Sequence, residues 1–369
     1  MTPQRIVVKL GTSTLTAGNT KLSMPHMVDL VRQMAQLHTA GSQFVLVSSG
    51  AMAAGRETLD FPELPKFIPA KQMLAAVGQP RLMAIYNQLF DLYGETVAQV
   101  LLTRSDLSNR RRYLNARNTL EALLAQGVIP IVNENDTVAT EEIRVGDNDN
   151  LSAMLANLIE ANLLILLTDQ QGLYTADPAQ HPDAQLVTEV SDPEIPEALW
   201  LAAGGTGNGL GTGGMFTKLQ AADLARRSGT TVVIAQGTLP DIITRIIGGE
   251  VVGTRFTALL SHMESRKRYI LAGPQPTGKL SVDPGAVMAL QNGESSLLPV
   301  GVIGVEGRFE RGETVRVVAP EGKEIARGVV NYAADDLARL CGQQSTAIEN
   351  ILGYTYGDAV IHRDDLIVL

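Results

Sequence analysis

Six short, almost unbroken apolar runs recur along the first two thirds of this 369-residue chain, with helical patterns between them. The runs are Arg5–Leu10, Phe44–Ser48, Val97–Leu102, Val128–Val132, Leu163–Thr168 and Thr231–Ala235. Apolar residues at nearly every position suit strands buried on both faces, as in a parallel sheet covered by helices. The helical patterns span Met24–Thr39, Lys71–Tyr93, Leu114–Gln126, Asn150–Ala161 and Phe216–Arg227. This alternation predicts an α/β sandwich with a mostly parallel central sheet and right-handed crossovers. In such a sheet ligands lie beyond the carboxyl ends of the strands. The residues that follow each run are therefore where chemistry is expected.

The alternation stops near Gly253. A basic stretch, Arg266–Arg268, and a Pro/Gly-rich segment, Gly273–Gly278, read as a linker. Beyond it lie short strand-like pieces: Leu280–Val282, Leu297–Val305, Thr314–Val318, Ile325–Val330 and Ala359–Ile361. The expected organisation is an α/β domain over 1–256, a linker over 257–276 and a small mostly-β domain over 277–369. The last 93 residues carry 8 basic and 13 acidic side chains, net −5, leaving 22 and 26, net −4, for the rest. That balance argues against nucleic-acid binding by the small domain, because phosphate contacts dominate such affinity. A single cysteine, Cys341, excludes a disulfide framework or a cysteine-rich zinc site. The chain shows no apolar run of ~18 residues and no signal-peptide pattern. A cytoplasmic location without membrane contact is expected.

Five segments carry candidate chemistry. In VVKLGTS, Lys9 lies inside an apolar strand, and Gly11, Thr12 and Ser13 follow. Small residues there expose N–H groups and hydroxyls that suit phosphate oxygens, although an edge-strand lysine would look similar. In VSSGA, Ser49, Gly50 and Ala51 allow close backbone approach to a small ligand, or form an ordinary turn. NENDTV (133–138) and VGDNDNLSA (145–153) cluster Asp136, Asp147, Asn148 and Asp149 more densely than helix capping requires. In LLTDQQGLYTADP, Thr168 and Asp169 end a strand where nucleotide sites sit. In GLGTGGMFTK, a glycine-rich loop opens a helix with Lys218 in its first turn, and Thr212, Gly213 and Gly214 form a candidate anion cradle.

Two other patterns carry nothing. Gly209, Gly211 and Gly214 fit a dinucleotide fingerprint in spacing, but no strand precedes them. Gly273–Lys279 begins like a P-loop, yet Leu280 replaces the required hydroxyl residue and two prolines remove N–H donors. All five histidines lie outside the five segments, which disfavours a hydrolase triad or an imidazole-ligated metal. Two lysines, two anion cradles and a carboxylate/amide cluster point to phosphoryl transfer.

In this order the segments resemble the amino-acid kinase superfamily and, within it, the bacterial glutamate 5-kinase family. The resemblance spans essentially the whole chain and includes AVGQ (Ala76–Gln79). LGY (Leu352–Tyr354) and VIHRDDL (Val360–Leu366) look like that family's C-terminal PUA domain. The resemblance implies ATP, Mg²⁺ and L-glutamate as reactants, feedback inhibition by proline, and a homo-oligomer, dimer or tetramer. A γ-glutamyl phosphate reductase would consume the product. It places Lys9 and Lys218 on the transferring phosphoryl group, with Asp149 orienting both. It assigns ATP to Lys9, Gly11, Thr12, Thr168, Asp169 and the loop Thr212, Gly213, Gly214, Met215, Phe216, Thr217 and Lys218. It assigns glutamate to Ser49, Gly50, Ala51, Asp136, Asp147 and Asn148, and leaves the residues that would hold the metal unassigned. Chemically, Asp136 or Asp147 would pair with the substrate ammonium and Asn148 would bond its α-carboxylate. The alternatives are a kinase of the same superfamily with another acceptor, RNA binding through the PUA-like domain, or a non-catalytic amino-acid sensor. Lys9 and Lys218 speak against the last.

Overall fold

The computed structural model describes residues 4–65, 67–139, 148–204, 214–272, 275–292 and 295–369. They fall into two compact units: Met1–Ser108 with Ala116–Ser261, and Asn109–Asn115 with His262–Leu369.

The first unit opens with β1 (Arg5–Leu10), α1 (Thr12–Thr16), α2 (Met24–Thr39), β2 (Gln43–Ser48), α3 (Ala51–Thr58) and α4 (Ile68–Asp91). There follow β3 (Val97–Leu102), α5 (Arg104–Ser108), α6 (Arg110–Ala125, whose residues from Ala116 on belong to this unit), β4 (Ile129–Glu134), α7 (Asn148–Leu158) and β5 (Leu163–Thr168). It closes with β6 (Glu189–Val190), α8 (Glu197–Ala202), α9 (Met215–Arg227), β7 (Thr231–Gln236), α10 (Ile242–Ile247) and β8 (Thr254–Phe256). The sheet order is β3-β4-β2-β1-β5-β7-β8-β6. Every pairing is parallel except β7 with β8, so the long strands end on one side.

The pleat sorts β1 by parity. Ile6, Val8 and Leu10 join Phe44, Leu46, Ile165 and Leu167 in a core that also takes in Met27, Leu82 and Ile242 from α2, α4 and α10. Lys9 points the opposite way, to the face where α7 packs on β1 and α9 packs on α7. On the first face α3 and α4 cross with their backbones in contact. A Cβ on Gly78 would lie 1.8 Å from the Ala51 carbonyl oxygen, and one on Gly55 would lie 2.0 Å from that of Leu74. Only glycine fits at this crossing, which fixes the start of α3 against the middle of α4.

The second unit holds α11 (His262–Ala272), β9 (Gly278–Val282), α12 (Pro284–Gln291), β10 (Val302–Gly307) and β11 (Thr314–Val318). It continues with β12 (Glu324–Val329), α13 (Ala334–Leu340), α14 (Ile348–Leu352) and β13 (Leu366–Val368). The strand order is β10-β9-β11-β12-β13, antiparallel apart from β9 with β11. Its own core includes Leu280, Val315, Val317, Tyr332, Leu337 and Ile361. Asn109–Asn115 belongs to this unit through Arg110 Nε, which donates to the Gly312 carbonyl at 2.8 Å, and Asn115 Oδ1, which accepts from Arg311 at 2.5 Å.

The stretch read as a linker contains helix α11. Ala359–Ile361 is not a strand. It makes one bridge, Ile361 to Leu297, and the last strand is Leu366–Val368. No helix of the described residues is long and apolar enough to cross a membrane.

Candidate active site

One carboxylate organises the carboxyl end of the sheet. Asp149 lies in the first turn of α7 and is almost fully buried. Its Oδ1 meets Lys9 Nζ at 2.6 Å, too obliquely for a directional hydrogen bond, and its Oδ2 meets Lys218 Nζ at 3.2 Å. Thr217 Oγ1 donates to Oδ2 at 2.8 Å. Lys218 Nζ also reaches the Gly214 carbonyl at 3.4 Å, and Thr217 Oγ1 lies 3.0 Å from that carbonyl. Gly214 caps α9 at φ 72°, a left-handed-side conformation that favours glycine.

The electrostatics follow from burial and pairing. Desolvation pulls the Lys9 pKa below its ordinary value, Asp149 pulls it back up, and Lys218 pushes it down again. Burial alone would raise Asp149. The charges of Lys9 and Lys218, with the hydrogen bond from Thr217, outweigh it and hold the carboxyl at about 2. Two cations and one anion leave a net positive charge in a nearly dry pocket, which is a receptor for an anion. Gly11 keeps room beside it, since a Cβ there would lie 3.5 Å from Lys9 Nζ.

A second cluster adjoins the first through α7 and is built of neutral groups. Asn148 Nδ2 donates to Ser49 Oγ at 2.9 Å and to Asn133 Oδ1 at 3.0 Å. Asn133 Oδ1 also accepts the Glu134 backbone N–H at 2.8 Å, and Asn133 Nδ2 donates to Gln79 Oε1 at 2.9 Å. Ser49 follows the last residue of β2, and Gly50 turns the chain into α3 at φ 100°, with Leu15 filling the space where a Cβ would sit. Asp136 lies three residues past Asn133 and is half-buried. Burial raises its carboxyl to about 6 although Lys71 lowers it.

Of the residues expected from the sequence, Lys9, Asp149, Gly214, Thr217 and Lys218 are thus brought together, as are Ser49 and Asn148. Thr168 and Asp169 lie at the end of β5, joined by a 3.0 Å bond from the threonine hydroxyl to the carboxylate. Thr12 opens α1, and Ala51 opens α3 at its crossing with α4. Met215 borders a cavity of about 660 Å³ lined also by Leu173, Tyr174, Pro178, Leu201 and Gly214. Phe216 is buried edge-on against Trp200, with ring centroids 5.6 Å apart. Asp147, Thr212 and Gly213 lie outside the described residues. Asn133 and Gln79 were not expected to have site roles. Both fall inside segments the sequence singles out, NENDTV and AVGQ. Asn148 directs both of its Nδ2 hydrogens to protein acceptors, Ser49 Oγ and Asn133 Oδ1.

An open, mostly parallel sheet with a lysine–aspartate–lysine cluster beyond its strands, beside a cavity of nucleotide size, defines the class as phosphoryl-transferring α/β enzymes. The model of the amino acid kinase family matches residues 4–236, and that of the PUA domain matches residues 278–352. Relatives named glutamate 5-kinase include those of Shewanella amazonensis, 56% identical over 99% of this chain and 96% of the relative, and Deinococcus radiodurans, 54% identical over 99% and 100%. That of Herpetosiphon aurantiacus is 55% identical over 98% of both chains. The chain belongs to the amino acid kinase family and carries a C-terminal PUA domain; it is a kinase.

Proposed function

We propose that the enzyme transfers the γ-phosphoryl group of ATP to the side-chain carboxylate of L-glutamate, giving ADP and γ-glutamyl phosphate. The observation that carries this reading is Asp149 held between Lys9 and Lys218, one residue from an amide cluster suited to an amino acid. The acceptor is a carboxylate with a pKa of about 4.3, ionised at neutral pH, so no general base is needed. This suits a phosphoryl site built on two lysines and an aspartate. The obstacle is bringing one anion against another. Lys9 and Lys218 would neutralise the phosphoryl oxygens, with Asp149 fixing both ammonium groups in place. Met215 and the cavity beside it would take the nucleoside, and Thr168, Asp169, Gly11 and Thr12 would line the phosphates. In-line alignment of the two reactants would supply the rest of the acceleration.

Mg²⁺ accompanies this reading. Among the described residues no group of three or more His, Cys, Asp or Glu side chains gathers, and Asp149 is engaged by two lysines. These residues fit an ion carried on the nucleotide's phosphates with one carboxylate such as Asp169 nearby, the usual arrangement for Mg²⁺. When bound it offsets phosphoryl charge.

The product is an acyl phosphate, which a reductase would consume, and proline would act as feedback inhibitor of a homo-oligomer. The test is glutamate-dependent ADP release with the acyl phosphate trapped by hydroxylamine. Aspartate, acetylglutamate and UMP serve as rival acceptors, with and without proline. Hydroxamate formed from glutamate and suppressed by proline supports the whole reading. Turnover with another acceptor alone overturns the substrate.

A further inference from the structure

The amide cluster has a polarity that can be read atom by atom. A backbone N–H only donates, so the Asn133 atom 2.8 Å from the Glu134 nitrogen is its carbonyl oxygen. The Asn148 atom 3.0 Å from that same oxygen must then be a donor, Nδ2. Its second hydrogen goes to Ser49 Oγ. The opposite end of the Asn148 amide, Oδ1, is buried and has no hydrogen-bond partner among the described residues. A buried acceptor without a donor is costly unless a ligand supplies one. Ser49 Oγ already accepts a bond, so its own proton is free to be donated, which suits a carboxylate oxygen. The site therefore offers an acceptor at Asn148 and a donor at Ser49.

Something must keep Asn133 in this orientation, and Gln79 does so from α4. Its Oε1 accepts from Asn133 Nδ2 at 2.9 Å, and its Nε2 donates to Gln99 Oε1 at 3.3 Å. Gln79 follows Gly78, the residue locked against Ala51 at the α3–α4 crossing, so its backbone has little freedom. We propose that Gln79 is a positioning residue: through Asn133 it holds the Asn148 carbonyl oxygen toward the α-ammonium of the amino-acid substrate. Without it the Asn133 amide loses the acceptor for Nδ2 and is held by the Glu134 N–H alone, so the partner that orients Asn148 is less firmly fixed. The consequence is selection for an α-amino dicarboxylate over the plain dicarboxylate. This inference rests on the glutamate reading above.

The experiment uses the full-length enzyme and two ligands, L-glutamate as substrate and glutarate, which lacks the ammonium, as competitive inhibitor. Gln79→Leu should raise the glutamate KM about tenfold, with kcat, the ATP KM and the glutarate Ki each within about twofold, the size of one hydrogen bond. Gln79→Glu, which keeps an acceptor for Asn133, should restore most of the glutamate affinity. Thermal unfolding checks each variant, and Gln79→Ala replaces Gln79→Leu if the latter does not fold. An unchanged glutamate KM, or equal weakening of glutamate and glutarate, overturns the inference and leaves the glutamate reading standing. A parent enzyme that does not phosphorylate glutamate overturns both.

Discussion

The two clusters at the end of the sheet share helix α7 but are built of opposite materials. Asp149, Lys9 and Lys218 are formally charged and almost wholly buried. One residue earlier, Asn148 begins a network of amides and hydroxyls with no formal charge. Strong fixed charge suits a group whose own charge must be offset while it moves, because a preorganised dipole or ion costs no reorganisation at that moment. Neutral hydrogen bonds suit selection between similar ligands, because a missing partner leaves a buried group unpaired. Adjacent residues on one helix thus serve the two requirements of a two-substrate reaction, and variants of each should fail in different kinetic parameters.

The largest effect is expected in the charged cluster. Lys9→Ala or Lys218→Ala should lower kcat by about 10²–10³-fold, with the glutamate KM little changed. A loss confined to KM would place these lysines in ground-state binding and erase the contrast between the clusters. Smaller effects belong to the neutral cluster. Ser49→Ala removes the acceptor for one Asn148 hydrogen and a hydroxyl donor. It should raise the glutamate KM about tenfold and leave the ATP KM unchanged. Steady-state kinetics with each substrate varied in turn separates the two patterns.

The contrast also marks what could be read in the sequence. The bounds of β1, β3, β5, β11 and α2 agree with the apolar runs and helical period, because burial on both faces or along one stripe writes itself locally. Lys9 was legible for the same reason, as a charge inside an unbroken apolar strand. The hydrogen bonds of Asn148 were not. Its partner Ser49 is 99 positions away, and Gln79 is 54 positions from Asn133. No local pattern encodes which end of an amide faces inward. In the second unit the misses have another cause. Helix α12 carries its signal openly: Asp283 caps it, accepting the Ala286 N–H at 2.7 Å, and Pro284 follows. The strand-like texture on either side obscured it. Ala359–Ile361 reads as a strand because all three residues are apolar, yet they are buried beside the sheet with a single bridge.

Asp136 is the titratable carboxylate of the amino-acid side, and it sharpens the comparison by pH. Its pKa is raised to about 6, so it is ionised at pH 7.5 and increasingly protonated below 6. If it pairs with the substrate ammonium, the glutamate KM should rise as pH falls through 6, by up to about tenfold per unit. In Asp136→Asn the KM should be high at pH 7.5 and flat across this range. A sloping profile in the variant would assign the titration to another group.

The smallest effect is on stability and has the opposite sign. A carboxyl whose pKa is higher in the folded state than in the unfolded chain binds its proton more tightly when folded. Its contribution therefore falls as pH rises from about 4 to 6, and above 6 the folded protein carries the full cost of a half-buried charge. That cost, discounted for partial exposure, is about 1 kcal/mol. Asp136→Asn should accordingly raise Tm by about 2–4 °C at pH 7.5 and leave it unchanged near pH 4. The same substitution would then stabilise the fold while weakening glutamate binding, the trade expected of a charge kept for its ligand. A Tm that is lower in the variant at pH 7.5 would show that Asp136 is held by a stabilising pair in the free enzyme, and that the neutral cluster is less neutral than its hydrogen bonds indicate.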